Sequence, residues 1–485
     1  MVHWRTFTEF IPFLLILTAP AMQDPVSTSP VMTTTTPAPF ERKVVLSLAA
    51  LYTFRMFGLF MLLPVLALYG TEYAHHSPFL LGLALGAYGF SQALLQIPFG
   101  VLSDRIGRKP LILAGLLIFV LGSVVAALAE SVYGLIIGRF LQGGGAISAV
   151  VMALLTDLTS DENRTKAMAT IGASIGVSFS VAMTAGPLLA AWGGVGAIFW
   201  LTALLGLVGV YILLKLVPDV SHTRSSAREA VAVPGLLAST LKHPQLLRLN
   251  VGIFVLHFVL MSSFVVLPLM LENQLQIPRN YHGLVYFPLL AFAFVLMLPF
   301  VIIAEKRRKI KSVFLLAVAL LLAAELALTQ VGDSFIAALL VLFVFFIAFN
   351  VLEATQPSMV SKIAPAGAKG TATGIYSTCQ VLGVFSGGAL GGWLLQEQGG
   401  QMVFLLNAIL VLIWLAVAWS MKPPQFLASV LIPLRGQDHQ ALAEKLRAVD
   451  GVAEVVIVAS ENTAYLKVDQ QRVNRKQLAA IVDDE

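Results

Sequence analysis

Twelve runs of roughly 20 or more mostly apolar residues, each closed off by a charge or a turn cluster, leave this chain few folds to choose from. They lie near 44–70, 78–101, 110–129, 131–158, 165–192, 195–217, 247–271, 281–304, 312–330, 334–357, 370–396 and 402–421. In hydrocarbon every backbone N–H and C=O has to be satisfied within the protein, which admits helices and closed barrels alone. Runs this long, without period-two alternation, are helical. The expectation is therefore an all-α polytopic membrane protein with twelve transmembrane helices. Composition agrees, with 58% of the 485 residues hydrophobic and 12% charged.

The charges that remain are distributed unevenly between the connections. Those after the even-numbered runs carry sixteen Lys and Arg residues, among them Arg105, Arg108, Lys109, Arg164, Lys166, Lys306 and Lys362. Those after the odd-numbered runs carry Arg279 alone. Lys and Arg near span ends stay preferentially on the cytoplasmic side, so both ends of the twelve-run body are expected to be cytoplasmic in a cell inner membrane. The longest connection, 218–246, divides that body into six-helix sets over 44–217 and 247–421. The net charge of +5 is spread over short loops and forms no soluble basic face, so a nucleic-acid partner is not expected. The single cysteine, Cys379, excludes a disulfide within the chain and any cysteine-pair metal site. His75 and His76 are adjacent in an outer loop and lack the spacing of a helical zinc pair. No Gly-x-x-x-x-Gly-Lys-Ser/Thr sequence is present, which disfavours ATP hydrolysis within the chain. No cofactor and no enzymatic activity are expected.

Residues 1–43 form an N-terminal extension with two readings. Arg5, the apolar run Phe10 to Leu17 and Ala19-Pro20-Ala21 have the pattern of a secretory signal and its cleavage site. Cleavage there would leave the next segment outside and reverse every loop against the charge rule. A start at Met32 preserves the rule, and the mature protein is then expected to lack residues 1–31, with an extra membrane-associated segment as the alternative.

The two halves look like repeats. Asp104-Arg105-Ile106-Gly107-Arg108-Lys109 leaves the second run, and Glu305-Lys306-Arg307-Arg308-Lys309 leaves the eighth at the equivalent point. Gly100, Asp104, Arg105, Gly107, Arg108 and Lys109 resemble the signature between spans 2 and 3 of the major facilitator superfamily. Arg139, Gln142 and Gly143 resemble the fourth-span motif of its drug and proton antiporters, and Gly186-Pro187 the fifth-span motif, imperfectly kept. The resemblance implies the major facilitator fold and a secondary active transporter, proton-driven efflux of a small molecule by alternating access leading. A proton-coupled importer is the runner-up, and a transporter-like receptor signalling through its C-terminus a second class. Gly100 and Asp104 share a helix face, so the glycine can admit a neighbouring helix while the carboxylate reaches its N-terminal end. The resemblance makes that neighbour span 11, near Gly370 and Thr371, and pairs Arg108 with Asp157 as a conformational latch. Arg105 and Lys109 are also explained by topology alone.

Ionisable residues within spans are costly and often functional. Arg55, Arg139, His257, Glu325 and Glu353 are the candidates for a substrate or proton pathway, with Glu353 closest to the cytoplasmic end. Tyr88, Gln92 and Gln96 share a face at i, i+4, i+8, and Gln380 lies in span 11. These suit a cavity for polar or amphipathic cargo, and helix-to-helix hydrogen bonding serves equally well. After Pro423-Pro424 the pattern shortens to SVLIPL, HQALAEKLRAV, AEVVIVA, TAYLKV and RKQLAAIV, a β-α-β-β-α order. From about Met32 to its end the chain resembles the YajR-type transporters, which add such a domain after the last span. Residues 425–485 are expected to form a small α+β ferredoxin-like cytoplasmic domain that regulates or self-associates. It has no cysteine pair for metal delivery.

Overall fold

The computed structural model describes residues 39–159, 161–218, 240–365, 368–424, 428–433, 439–458, 463–469 and 473. The N-terminal signal and start-site readings over residues 1–31 lie outside them. Among the described residues eleven helices are long and apolar enough to cross a membrane. One of these, α6 (Asp161–Lys215), has 55 residues and crosses twice. It is interrupted at Gly193 and at Gly194, whose φ of 67° only glycine adopts readily. That break falls between the fifth and sixth apolar runs, so the twelve crossings stand.

The other elements of the first half are α1 (Pro39–Met61), α2 (Pro78–Ile106), α3 (Arg108–Ala127), α4 (Val132–Gly144) and α5 (Ser148–Asp157). The second half comprises α7 (Pro244–Leu269), α8 (His282–Lys306), α9 (Ile310–Leu328), α10 (Phe335–Ile363), α11 (Lys369–Gln398) and α12 (Gly400–Trp419). Local chemistry sets their starts. Ser77 and Ser131 accept from the Leu80 and Gly134 amides at 3.2 and 3.3 Å, supplying acceptors that the first helical turn lacks.

Two spans depart from the sequence expectation. The first run, 44–70, is not one helix, because α1 stops at Met61 and only a single turn, Leu66–Tyr69, follows. Pro64 lies in the gap, with no N–H to continue the ladder. The fourth run, 131–158, divides into α4 and α5 around Gly145–Ile147. Three consecutive glycines, Gly143 to Gly145, favour helix poorly. Their bare backbones are pressed against neighbours instead, Gly143 on Tyr88 and Ser91, and Gly145 on Gly115.

The halves meet along α2 with α11 and α6 with α8. At Gly82 and Gly388 an added Cβ would collide with the opposing backbone, and at Gly86 it would sit 2.7 Å from the Phe385 carbonyl oxygen. Gly283 of α8 approaches Thr184 of α6 as closely. Toward the end that carries the Gly107 turn, the basic end, this closeness disappears. A Cβ at Gly100, Gly172 or Gly374 would meet nothing within 4 Å among the described residues. The halves are thus closed at the far end and parted at the basic end. An aromatic bridge crosses between them, with ring centroids 4.9 Å apart for Phe60 and Phe179 and 6.0 Å apart for Phe179 and Phe349.

The small domain contains β1 (Ala428–Pro433), α13 (His439–Arg447), β2 (Val452–Val458) and β3 (Thr463–Val468). Its sheet has the order β1-β3-β2, with β3 antiparallel to both neighbours. β1 and β2 therefore run parallel on either side of β3, the split β-α-β arrangement of ferredoxin-like domains. Leu442, Leu446, Val455, Leu466 and Val468 form its core. The second helix expected at RKQLAAIV lies outside the described residues.

Candidate substrate and proton sites

Arg55 enters the first half from α1 and is 2% exposed. One terminal nitrogen donates to Gln92 Oε1 at 2.9 Å and the other to the Ser148 hydroxyl. Gln92 in turn donates to Gln96 Oε1 at 3.2 Å. Arg139 of α4, also buried, donates to Gln142 Oε1 at 2.9 Å and to the Ala84 carbonyl at 3.4 Å. Gln142 continues the chain to Ser123 Oγ at 2.8 Å. Both guanidiniums lie over the Tyr88 ring, 5.5 Å from its centroid for Arg55 and 4.9 Å for Arg139. The shared face of Tyr88, Gln92 and Gln96 exists, but it points into the first half. Arg55 occupies it, and all three side chains are buried. Of the two readings of this face, the side chains as they stand make the helix-to-helix hydrogen bonding, a polar seam between α1, α2 and α4.

The second half assembles a different group. His257 Nε2, on α7, lies 3.4 Å from Glu353 Oε1 on α10 and 2.8 Å from Gln380 Nε2 on α11. Its Nδ1 lies 3.3 Å from the Ile253 carbonyl, the bond that fixes the proton on that nitrogen in the neutral ring. Glu353 is therefore not a peripheral span-end residue, as its sequence position implied. Its side chain is 33% exposed against 9% for His257, while the Oε1 that faces the imidazole is itself buried. Phe349 packs beside the imidazole at 6.0 Å.

Glu325 belongs to neither group. It is fully buried between α7, α9 and α12, accepting from Ser263 and Asn407, each at 3.1 Å. Asn407 also donates to Ser263 at 3.0 Å and accepts from Ser262 at 2.7 Å. Each of these partners is neutral, and the cluster joins helices of the same half.

At the basic end, Arg108 Nε lies 3.3 Å from Asp157 Oδ2, each side chain 9% exposed. Arg108 also donates to Ser103, and Lys109 donates to the Val217 carbonyl at 2.9 Å, tying the turn to the end of α6. Gly107, at φ 98°, reverses the chain between α2 and α3. Arg105 is exposed. The Asp104 side chain lies outside the described residues. The close approach expected at Gly100 is absent, because α2 and α11 are parted at this end. In the second half Glu305 accepts from Lys362 at 2.9 Å and from Ser358 at 2.6 Å. The small domain reaches the same place, Lys467 of β3 donating to the Lys362 carbonyl at 3.0 Å.

Sequence reasoning missed Ser123, Ser148, Asn407 and Lys467. Hydroxyls are frequent in apolar runs and carry no signal alone. Asn407 had one, an amide amid LLNAIL, and Lys467 had another, a charge between Leu466 and Val468 in a strand with a buried face.

Comparison with known proteins follows the same outline. A model described as the Major Facilitator Superfamily matches residues 48–388 and 311–457. The inner membrane transport protein YajR of Escherichia coli (strain K12) is 46% identical over 439 residues, covering 90% of this chain and 96% of that protein. Multidrug resistance protein 2 of Bacillus subtilis (strain 168) is 27% identical over 375 residues, covering 75% and 92%. The crystal structure of a bacterial homolog of the human lysosomal transporter Spinster, inward-facing and occupied, aligns with a TM-score of 0.65 at 16% identity. That alignment covers 79% of this chain and 97% of the other.

Proposed function

Because the chain belongs to the Major Facilitator Superfamily, a family of non-enzymatic transporters, we propose that it exports a small molecule in exchange for protons, with His257 and Glu353 as the proton site. The carrying observation is that His257 Nε2 faces both Glu353 and Gln380. A neutral imidazole with its proton on Nδ1 offers Nε2 as an acceptor, which suits the Gln380 amide. A second proton makes Nε2 a donor, which suits the Glu353 carboxylate instead. Protonation thereby exchanges a bond to α11 for a bond to α10, a differential contact of the kind that biases a two-state equilibrium. The half-buried Glu353 hands the proton inward.

Alternating access follows the parting of the halves at the basic end. The Arg108–Asp157 pair stiffens the first half there, and closure of that end brings α2 back against α11. The positive-inside bias puts the basic end and both termini in the cytoplasm. Export is favoured over import by the Bacillus relative, which is named for multidrug resistance. The small domain is read as a regulator, its Lys467 docked on the α10–α11 connection.

The test uses everted vesicles acidified inside and a panel of labelled amphipathic compounds. Gradient-driven accumulation that Glu353→Gln abolishes is the expected result. Accumulation that survives collapse of the pH gradient refutes coupling, and accumulation confined to right-side-out vesicles refutes export.

A further inference from the structure

Arg55 and Arg139 bring two positive charges into the first half, and among the described residues neither has a carboxylate partner. Their acceptors are neutral: the Ser148 hydroxyl, two glutamine amides and one carbonyl. Buried charges are ordinarily paired, because taking an ion out of water costs several kcal/mol that dipoles offset only in part. Both guanidiniums also lie over one ring, that of Tyr88. Three buried polar atoms in this place make no hydrogen bond of full geometry, Arg55 Nε, Arg139 Nη2 and the Tyr88 hydroxyl, the last lying within reach of Arg55. Each can donate, and they come from α1, α4 and α2.

Two cations and three unused donors around one ring make a site that lacks an acceptor. We infer that the place where Arg55, Tyr88 and Arg139 converge receives, once α1, α2 and α4 part, the oxyanion of the transported molecule, a carboxylate, sulfonate or phosphate carried on an aromatic or otherwise apolar body. The planar fork of each guanidinium matches such a group, and the Tyr88 face lies beside it for the apolar part. Entry requires α1, α2 and α4 to loosen, because all three donors are shielded from solvent as the helices stand. The inference rests on the transport reading and names its substrate class. The neutral Glu325 cluster and the His257 group lie in the other half, so proton and anion occupy separate places.

The probe is naphthalene-2-sulfonate, with 2-naphthyltrimethylammonium as the cation of the same ring. The purified full chain, in neutral detergent at fixed ionic strength, is titrated with each while its thermal stability is followed. Saturable stabilisation by the sulfonate and not by the ammonium is expected. Arg55→Gln and Arg139→Gln should each weaken the sulfonate by roughly tenfold to a hundredfold, the range for hydrogen bonds to charged groups. Arg55→Lys and Arg139→Lys should lose several-fold less. A sulfonate that stabilises no better than the ammonium overturns the site, as does equal binding to the glutamine variants. Should a glutamine variant fail to fold, the preference of the unaltered chain between the two probes decides. The measurement needs no flux, so its failure leaves the transport reading intact. A chain that binds the sulfonate yet moves no member of the vesicle panel would overturn transport and leave the anion site standing.

Discussion

Glu305, in the last turn of α8, lies 2.9 Å from Lys362 at the end of α10, and Arg108, which opens α3, lies 3.3 Å from Asp157 at the end of α5, the acid on the second-span side in one half and on the fourth-span side in the other. A Coulombic bridge is indifferent to which side carries which sign. The two repeats therefore each tie this region to the end of the fourth span of their half by one charge pair, although Glu305 stands at the repeat position of Asp104 and not of Arg108.

Exchange of the first pair tests whether the link or the individual residue matters. Arg108→Glu alone should lose about 1–3 kcal/mol of turn stability and most of the transport rate. Adding Asp157→Lys, which copies the polarity of Glu305 and Lys362, should restore at least half of the rate. A double variant as inactive as the single one would show that Arg108 acts through something other than Asp157.

Asp104→Asn should leave membrane insertion unchanged and reduce transport several-fold. Cysteines placed beside Gly100 and Gly374 should then label faster, because the variant spends more time parted at the basic end. Unchanged rate and labelling would reduce the charges of this turn to topology signals.

Glu325 should tolerate its amide. Glu325→Gln keeps an acceptor for Ser263 or Asn407 and should transport within twofold of normal with little change in melting temperature. Glu325→Ala leaves a cavity and two unpaired donors and should cost about 2–4 kcal/mol. Loss of gradient-driven transport in a well-folded Glu325→Gln protein would instead make this carboxyl part of the proton path.

His257→Gln and Glu353→Gln should separate coupling from passage. Both variants should still exchange labelled for unlabelled substrate at equal pH on the two sides, while accumulation against a gradient falls at least tenfold. Retained accumulation in either variant would remove that residue from the proton site.

Lys467 ties the small domain to the α10–α11 connection. Burial holds its ammonium below the ordinary lysine value of 10.5, with Lys369 pushing it further down and Glu454 opposing. In the alkaline window beneath 10.5 the undocked domain thus binds more protons than the docked one, and docking should strengthen as pH rises through that window. A spin-label distance between residues 362 and 469 should narrow accordingly, and Lys467→Met should abolish the dependence. A chain ended after Pro424 should insert and still transport.

The span count and the split domain were legible because lipid thickness and strand alternation act on local sequence. The break at Gly193 and Gly194 fell where a gap between apolar runs announced it. Within span 4 the apolar pattern runs on through Gly145, and only packing against Gly115 decides that the helix stops. Candidate site residues were recognisable by the cost of burying charge, which singled out Arg55, Arg139, His257, Glu325 and Glu353. Their grouping was not recognisable, since nothing local tells Glu353 that His257 is opposite or places Glu325 among neutral donors. The face of Tyr88, Gln92 and Gln96 was found by spacing, while its direction depended on where Arg55 lay.

The interruption in span 4 makes α5 a separate rod of 10 residues, about 15 Å long. Its first residue, Ser148, takes a hydrogen bond from Arg55, and its last, Asp157, holds Arg108. A pull on Arg55 at mid-membrane therefore acts on one end of a lever whose other end grips the Gly107 turn, while Arg139, across the joint in α4, stays as the fulcrum side. On the proposed reading, filling the seam and releasing the turn are two ends of a single displacement.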